Sequence, residues 1–382
     1  MPDIAPQLLP GAILFTAFVG GIFVLSKLVP GPEREGAPLK DGSRITYRLN
    51  GLRIFLLLAA ALVGGIASGH LSLEPLLENF WGLFIAANVF SFGLSAVLQV
   101  VGRRKNAAGG HEAPPVAGVG ADGAAHATAA AESPLSLLRE YYMGAELNPS
   151  FLGIDLKMFS YRPSLMGLFV LNLAFASAQL ERHGELSTAM ILYQLFTFIY
   201  VFNYFQFEHG MLFTWDVIAE NFGWMLVWGD YAFVPFAYSV IGWYLVDDTS
   251  AMHPALVVIL PCVFVFGLWV FRGANQQKDQ FKRDPTAKIW GKTPETLGGK
   301  ILVSGFWGIG RKLNYAGEVT VYTSWALLSG AQSFVPYILP FWLFCLLTHR
   351  AWRDEQRCRL KYGKLWDEYC QRARFRMIPF LY

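Results

Sequence analysis

Between Leu346 and Tyr382 the chain reads LLTHRAWRDEQRCRLKYGKLWDEYCQRARFRMIPFLY, charge and aromatic side chains set against the end of an apolar stretch. If Leu346 to Tyr362 is helical, Arg350, Arg353, Asp354, Arg357 and Lys361 recur at steps of three and four, which puts one carboxylate among several cations on one face. Such a face suits an anionic ligand. Tyr362, Trp366 and Tyr369 continue at the same steps and add ring faces and hydroxyl donors, the complement of a nucleotide with a flat base and phosphates. The same residues also describe a basic juxtamembrane helix lying on anionic lipid, and the charge pattern alone leaves both readings open.

The elements that must position this tail are apolar. Of the 382 residues, 54% are hydrophobic and 15% aromatic, and a bilayer crossing takes roughly 20 apolar residues. Apolar runs occur at Gly11 to Val29, Leu52 to Gly69, Phe80 to Val101, Ser164 to Leu180, Leu186 to Phe205, Phe222 to Val246, Pro254 to Phe271, Tyr315 to Leu328 and Val335 to Leu347. The expected fold class is therefore all-α, a polytopic integral membrane bundle of nine or ten spans. With Pro30 to Gly51 cytoplasmic, the alternation puts Arg103, Arg104, Lys105, the cluster Lys278 to Lys300 and the carboxyl-terminal tail on that same side; of 31 Lys and Arg residues only Arg182 falls outside. The start, MPDIAPQLL, lacks a cationic segment, so the first apolar run reads as a retained span and not as a cleaved signal.

Four cysteines, Cys262, Cys345, Cys358 and Cys370, show neither zinc nor disulfide spacing, and seven histidines form no HExxH-like cluster. No metal is expected. The first three spans carry few polar residues, and small ones such as Gly64, Gly65 and Ala67 fit close helix packing in lipid. Asn106 to Pro134 then turns to Ala, Gly, His and Pro without apolar period, the composition of a linker. Three parts follow from this: a three-span part at 1–105, the linker at 106–134, and a core at 135–382.

In that core, YYMGAELNPSFLGIDLKMFSYRP is too polar to span and reads as a structured loop turning at Asn148-Pro149. Glu208, Asp216, Glu220 and Asp230 follow among aromatics, and Asp230 lies inside an apolar run, so it should face a cavity or a partner. Lys278 and Lys282 are four apart, so a helical turn points both at one anion. Gly305, Gly308 and Gly310 have the wrong spacing for a Rossmann fingerprint, and no strand precedes them.

HRAWRDEQRCRLKYGKLWDEYC followed by FRMIPFLY resembles the carboxyl-terminal signature of the sterol reductase family. The resemblance runs from about Tyr142 to the terminus: Glu146 to Pro149, Asp155, Lys157, Arg162 and Pro163, then Tyr200-Val201, Gly229-Asp230, and Trp307, Arg311, Asn314, Tyr315 and Gly317 match family patterns. Ser150, Asn203, Lys282, Lys312 and Glu318 depart from them. The resemblance implies NADPH as the cofactor, bound from the cytoplasm by Lys278, Lys282, Leu302, Trp307, Asn314, Tyr315, Arg350, Asp354, Cys358, Arg359, Leu360, Lys361, Tyr362 and Tyr369. It implies a sterol entering from the bilayer, with membrane lipid and no nucleic acid as the other surroundings.

Reducing an unpolarised carbon–carbon double bond requires a proton on one carbon and a hydride on the other, so the site needs an acid as well as the cofactor. By motif position the catalytic candidates are Tyr200 and Asp354. Asp354 has a second reading as a carboxylate held ionised by Arg350 and Arg357, which suits cofactor orientation. The resemblance implies reduction at C14–C15, and because a conjugated diene gives an allylically stabilised cation on protonation, a modest acid is enough. The alternatives are a C7 reductase, a membrane methyltransferase of the isoprenylcysteine type using S-adenosylmethionine, and a non-enzymatic sterol binder. Extra amino-terminal spans and the Lys278/Lys282 pair count against the methyltransferase; the intact RDExxCxxKYG stretch counts against the binder.

Overall fold

The computed structural model describes residues 4–38, 42–109 and 134–382. Each of the nine apolar stretches lies on helical segments, as lipid demands of a backbone that must satisfy its own hydrogen bonds. Six helices are long and apolar enough to cross a membrane: Ala5–Leu28, Phe80–Ala107, Leu156–His183, Thr188–Gln206, Trp224–Leu245 and Pro254–Arg283. Gly51–Ala67 is shorter, at 17 residues. The sheet among the described residues is confined to three two-stranded antiparallel hairpins. The fold is thus all-α and polytopic. Most of the linker expected at 106–134 falls outside the described residues.

The chain forms two compact units, Met1–Arg182 with Thr197–Ser239, and His183–Phe196 with Val240–Tyr382. The first is built on interlocked aromatics. Phe55, fully buried, meets Phe169 edge-on at 5.2 Å and lies against Phe205 at 5.7 Å. Its buried polar groups hold loops in place. Lys157 donates to the carbonyls of Asp216, Val217 and Glu220 at 2.9, 3.0 and 2.7 Å, and Arg162 pairs with Glu208 at 3.3 Å. Asn148 donates to Asp155 at 3.2 Å and to Tyr47 at 3.1 Å, so the matching motif residues act here as scaffold. Asp230 sits at the start of a π-helical turn, Gly229–Ala237, whose wider coil turns the carboxylate inward to accept from the Ser160 hydroxyl.

In the second unit the long helix Pro254–Arg283 lies against Leu313–Leu327. Glycine permits that approach: a Cβ on Gly317 would sit 2.5 Å from the Phe271 backbone nitrogen and 2.7 Å from the Gly267 carbonyl oxygen. The helix Ile338–Tyr362 ends at Gly363, where φ of 54° and ψ of −129° are open only to glycine, and Lys364–Arg372 starts in a new direction. A hairpin pairing Thr296 with Leu302 and Leu297 with Ile301 packs against Trp366, Tyr369 and Ala373. The charged tail is thereby folded back onto the body of its own unit.

Candidate active site

Three segments of the second unit converge on the Asp354 carboxylate. Lys312, which precedes the helix Leu313–Leu327, ion-pairs with Asp354 Oδ2. Cys358, one turn along from Asp354, places its Sγ 4.0 Å from the same oxygen. Lys278 and Arg357 also act on this carboxylate. Burial opposes the charge on Asp354, but the Lys312 ammonium and the cations around it outweigh that and hold its carboxyl below the usual range. Burial opposes the Lys312 charge too, and Asp354 overcomes it, keeping the ammonium above the ordinary lysine value. Desolvation and the neighbouring carboxylate push the Cys358 thiol up, so at neutral pH it is a thiol and not a thiolate.

Beside this pair stands Trp307, fixed on two sides. Its indole Nε1 donates to the Ala274 carbonyl at 2.8 Å, and its own carbonyl accepts from the Tyr369 hydroxyl at 2.9 Å. Lys278 Nζ lies 4.7 Å from the centre of the Trp307 ring, a cation–π contact. Asn275, Lys278 and Lys282 fall at steps of three and four along one helix, so they share a stripe. Asn314 donates to Asn275 Oδ1 at 3.2 Å, while its own Oδ1 is buried with no hydrogen-bond partner among the described residues. Tyr315 completes the group, with Lys312 Nζ 5.9 Å from its ring centre and Arg350 in electrostatic reach of its phenol.

Lys278, Lys282, Trp307, Lys312, Asn314, Tyr315, Arg350, Asp354 and Cys358 thus belong to one neighbourhood. Leu302 packs behind Trp307 with Phe281 and Ile289. Tyr369 is buried behind the same ring, and Tyr362 stacks on Trp366 at 6.4 Å. Arg359 lies 3.9 Å from Asp367 at the surface, Leu360 is 90% exposed, and Lys361 sits over the Tyr362 ring at 5.1 Å. Tyr200 belongs to the first unit, where it packs on the cluster around Ile54, Phe55 and Phe205.

Sequence reasoning passed over Lys312 and Asn275. Lys312 was visible only as a departure from the family pattern, and its partner lies 42 positions away. Asn275 had a signal, the three-residue step to Lys278.

The profile of the Ergosterol biosynthesis ERG4/ERG24 family matches residues 10–382. The chain belongs to this family. A Delta(14)-sterol reductase of Arabidopsis thaliana is 39% identical over 94% of this chain and 92% of its own length. One from Methylotuvimicrobium alcaliphilum is 33% identical over 99% of the chain and 85% of that protein, and ERG24 of Saccharomyces cerevisiae, also a Delta(14)-sterol reductase, is 30% identical over 97% and 83%. Membership in the ERG4/ERG24 family extends the likeness seen in the carboxyl-terminal motifs across nearly the whole chain. The apolar helices agree: this is an integral membrane protein.

Proposed function

We propose that this chain is an NADPH-dependent reductase of the sterol C14–C15 double bond, drawing its sterol from the bilayer and its cofactor from the cytoplasm. The names of its relatives support the reaction; the cationic cluster around Asp354 carries the cofactor reading. Lys278, Lys312 and Arg357 act on the one Asp354 carboxylate, and Lys282 stands close enough to act on Lys278, a surplus of positive charge that calls for an anionic ligand. The orphaned Asn314 Oδ1 fits a carboxamide N–H, and the fixed Trp307 face fits a flat ring.

In this reading Lys278 and Lys282 take the 2′-phosphate, while Trp307, Asn314, Tyr315 and Arg350 set the rest of the cofactor. When bound, NADPH supplies the hydride. Asp354 is held as a carboxylate, so it orients neighbouring donors and is a poor source of a proton. The proton is assigned to Tyr200, by its motif position. Protonating one end of a conjugated diene leaves an allylic cation, which lowers the acid strength required. The distribution of Lys and Arg over the loops supports a cytoplasmic cofactor site and carboxyl terminus.

The test uses purified protein, deuterated NADPH and diene sterols unsaturated at C14 or at C7, with products read by mass spectrometry. Deuterium is expected on C14. Tyr200→Phe should keep NADPH binding and lose turnover. Label at C7, or equal rates with NADH and NADPH, overturns the assignment.

A further inference from the structure

The helix Pro254–Arg283 has a second face that the proposed cofactor site does not use. Lys278 and Lys282 lie on one side, whereas Gln276 and Gln280 are two residues from them, about 200° around the helix. On that opposite side Val258, Cys262, Val265 and Trp269 form an exposed apolar stripe at three- and four-residue steps. Exposure of such a stripe on a membrane-spanning helix means contact with lipid tails. The same stripe continues into Arg272, Gln276 and Gln280, so one helix face passes from acyl depth to headgroup depth in a single turn.

At that transition lies a groove of about 310 Å³, bounded by Arg272, Gln276, Gln280 and the segment Lys288 to Trp290. Two tryptophans flank it. Trp269 and Trp290 both pack edge-on against Phe306 at 5.0 Å, yet remain 54% and 56% exposed. Trp290 has φ of 50°, an uncommon conformation for a bulky residue, so the backbone is bent to present this ring. Tryptophan at the membrane–water interface is the usual anchor at headgroup level. The lining has two cations, Arg272 and Lys288, and no carboxylate.

We infer that the groove between Arg272, Lys288, Trp269 and Trp290 binds the headgroup of an anionic phospholipid whose acyl chain runs along the Val258–Val265 stripe. Arg272 and Lys288 neutralise the phosphate, the glutamine amides donate to its ester oxygens, and the indoles border the glycerol level. A soluble anion would use the cations but not the adjoining apolar stripe, and that stripe decides for a lipid.

Native mass spectrometry of detergent-purified protein tests this, with phosphatidylglycerol, phosphatidylcholine and inorganic phosphate as probes. Wild type should retain phosphatidylglycerol over phosphatidylcholine. Arg272→Gln with Lys288→Gln should weaken retention roughly twenty-five-fold, at about fivefold for each interfacial cation. Lys300→Gln with Lys364→Gln, which removes two exposed charges elsewhere on the same unit, should retain the lipid as wild type does. Equal retention by the groove variant, no preference over phosphatidylcholine, or displacement by inorganic phosphate overturns the site. Should the groove variant fail to fold, quenching by brominated phosphatidylglycerol decides the matter: Trp290→Phe must lose part of the quenching seen in wild type, and unchanged quenching refutes the placement.

Discussion

Asp354 and Glu355 are adjacent carboxylates on one helix, and adjacent cations, Lys312 and Arg311, meet them. The two pairs nevertheless do different work. Glu355 is 3% exposed and doubly held, by Arg311 Nε at 2.8 Å and Arg376 Nη2 at 2.7 Å. Arg311 goes on to donate to the carbonyls of Ala373 and Arg374 at 2.6 and 3.0 Å, which ties the tail to the body of the unit. Both oxygens of the Glu355 carboxylate are thereby taken up by the protein itself. The Asp354 side chain keeps 28% exposure beside an ammonium, a thiol and further cations. A saturated carboxylate fixes structure; one with spare charge and access around it is suited to a ligand.

Removing the saturated partner should have the largest effect on stability. Glu355→Gln leaves two guanidinium groups without their carboxylate, and breaking a buried pair costs about 3–5 kcal/mol. A clear fall in unfolding temperature in detergent is expected, with activity lost alongside the fold. Burial works against the Glu355 charge, but Arg376 and Arg311 hold its pKa below the usual value. Its contribution is therefore fully present above the free carboxylate value, about 4.3, and is lost as pH falls through the lower folded value. Wild type should destabilise in that acid window more steeply than Glu355→Gln. An unchanged unfolding temperature would end the structural reading of this pair.

Asp354→Asn should reverse the order of effects. Lys312 loses its partner, but the site is open enough for water to replace part of it, so the stability cost should be nearer 1–3 kcal/mol. Cofactor affinity should fall at least about tenfold, on the order of one charge-assisted contact. Because Asp354 is depressed and Lys312 raised, the pair should stay formed from below the free aspartate value of about 3.9 to above the free lysine value of about 10.4. A larger thermal loss in Asp354→Asn than in Glu355→Gln, measured in the same detergent, would break the comparison.

Why the helix stripes were foreseeable and the ion pairs between segments were not comes down to sequence distance. Helical steps of three and four set Asp354 with Arg350, Arg353, Arg357 and Lys361 on one face and bring Lys278 and Lys282 together, and the apolar runs mark the helices themselves. Periodicity within a helix cannot reveal what lies across from it. Of the cations expected around Asp354 from its own helix, Arg357 does act on it, but the ion pair with Lys312 comes from a segment whose glycines and aromatics carry no period. The π-helical turn around Asp230 was equally hidden, since nothing in GDYAFVPFA announces the added residue per turn.

The smallest effect tests where the boundary between the two kinds of network falls. Tyr369 is buried, and its hydroxyl donates to the Trp307 carbonyl at 2.9 Å, so it helps to fix the ring that Lys278 overlies. Desolvation pushes its phenol up, so the donor proton stays in place through the neutral range. Tyr369→Phe removes one neutral hydrogen bond, worth about 1 kcal/mol, and keeps the ring packed against Trp366. A slight drop in unfolding temperature is expected, together with a rise in the half-saturating NADPH concentration of up to about fivefold and an unchanged kcat. If affinity instead collapses as far as in Asp354→Asn while the protein keeps its thermal stability, the Tyr369 hydroxyl contacts the cofactor directly and belongs with Asp354, and the saturated scaffold ends one residue layer further back.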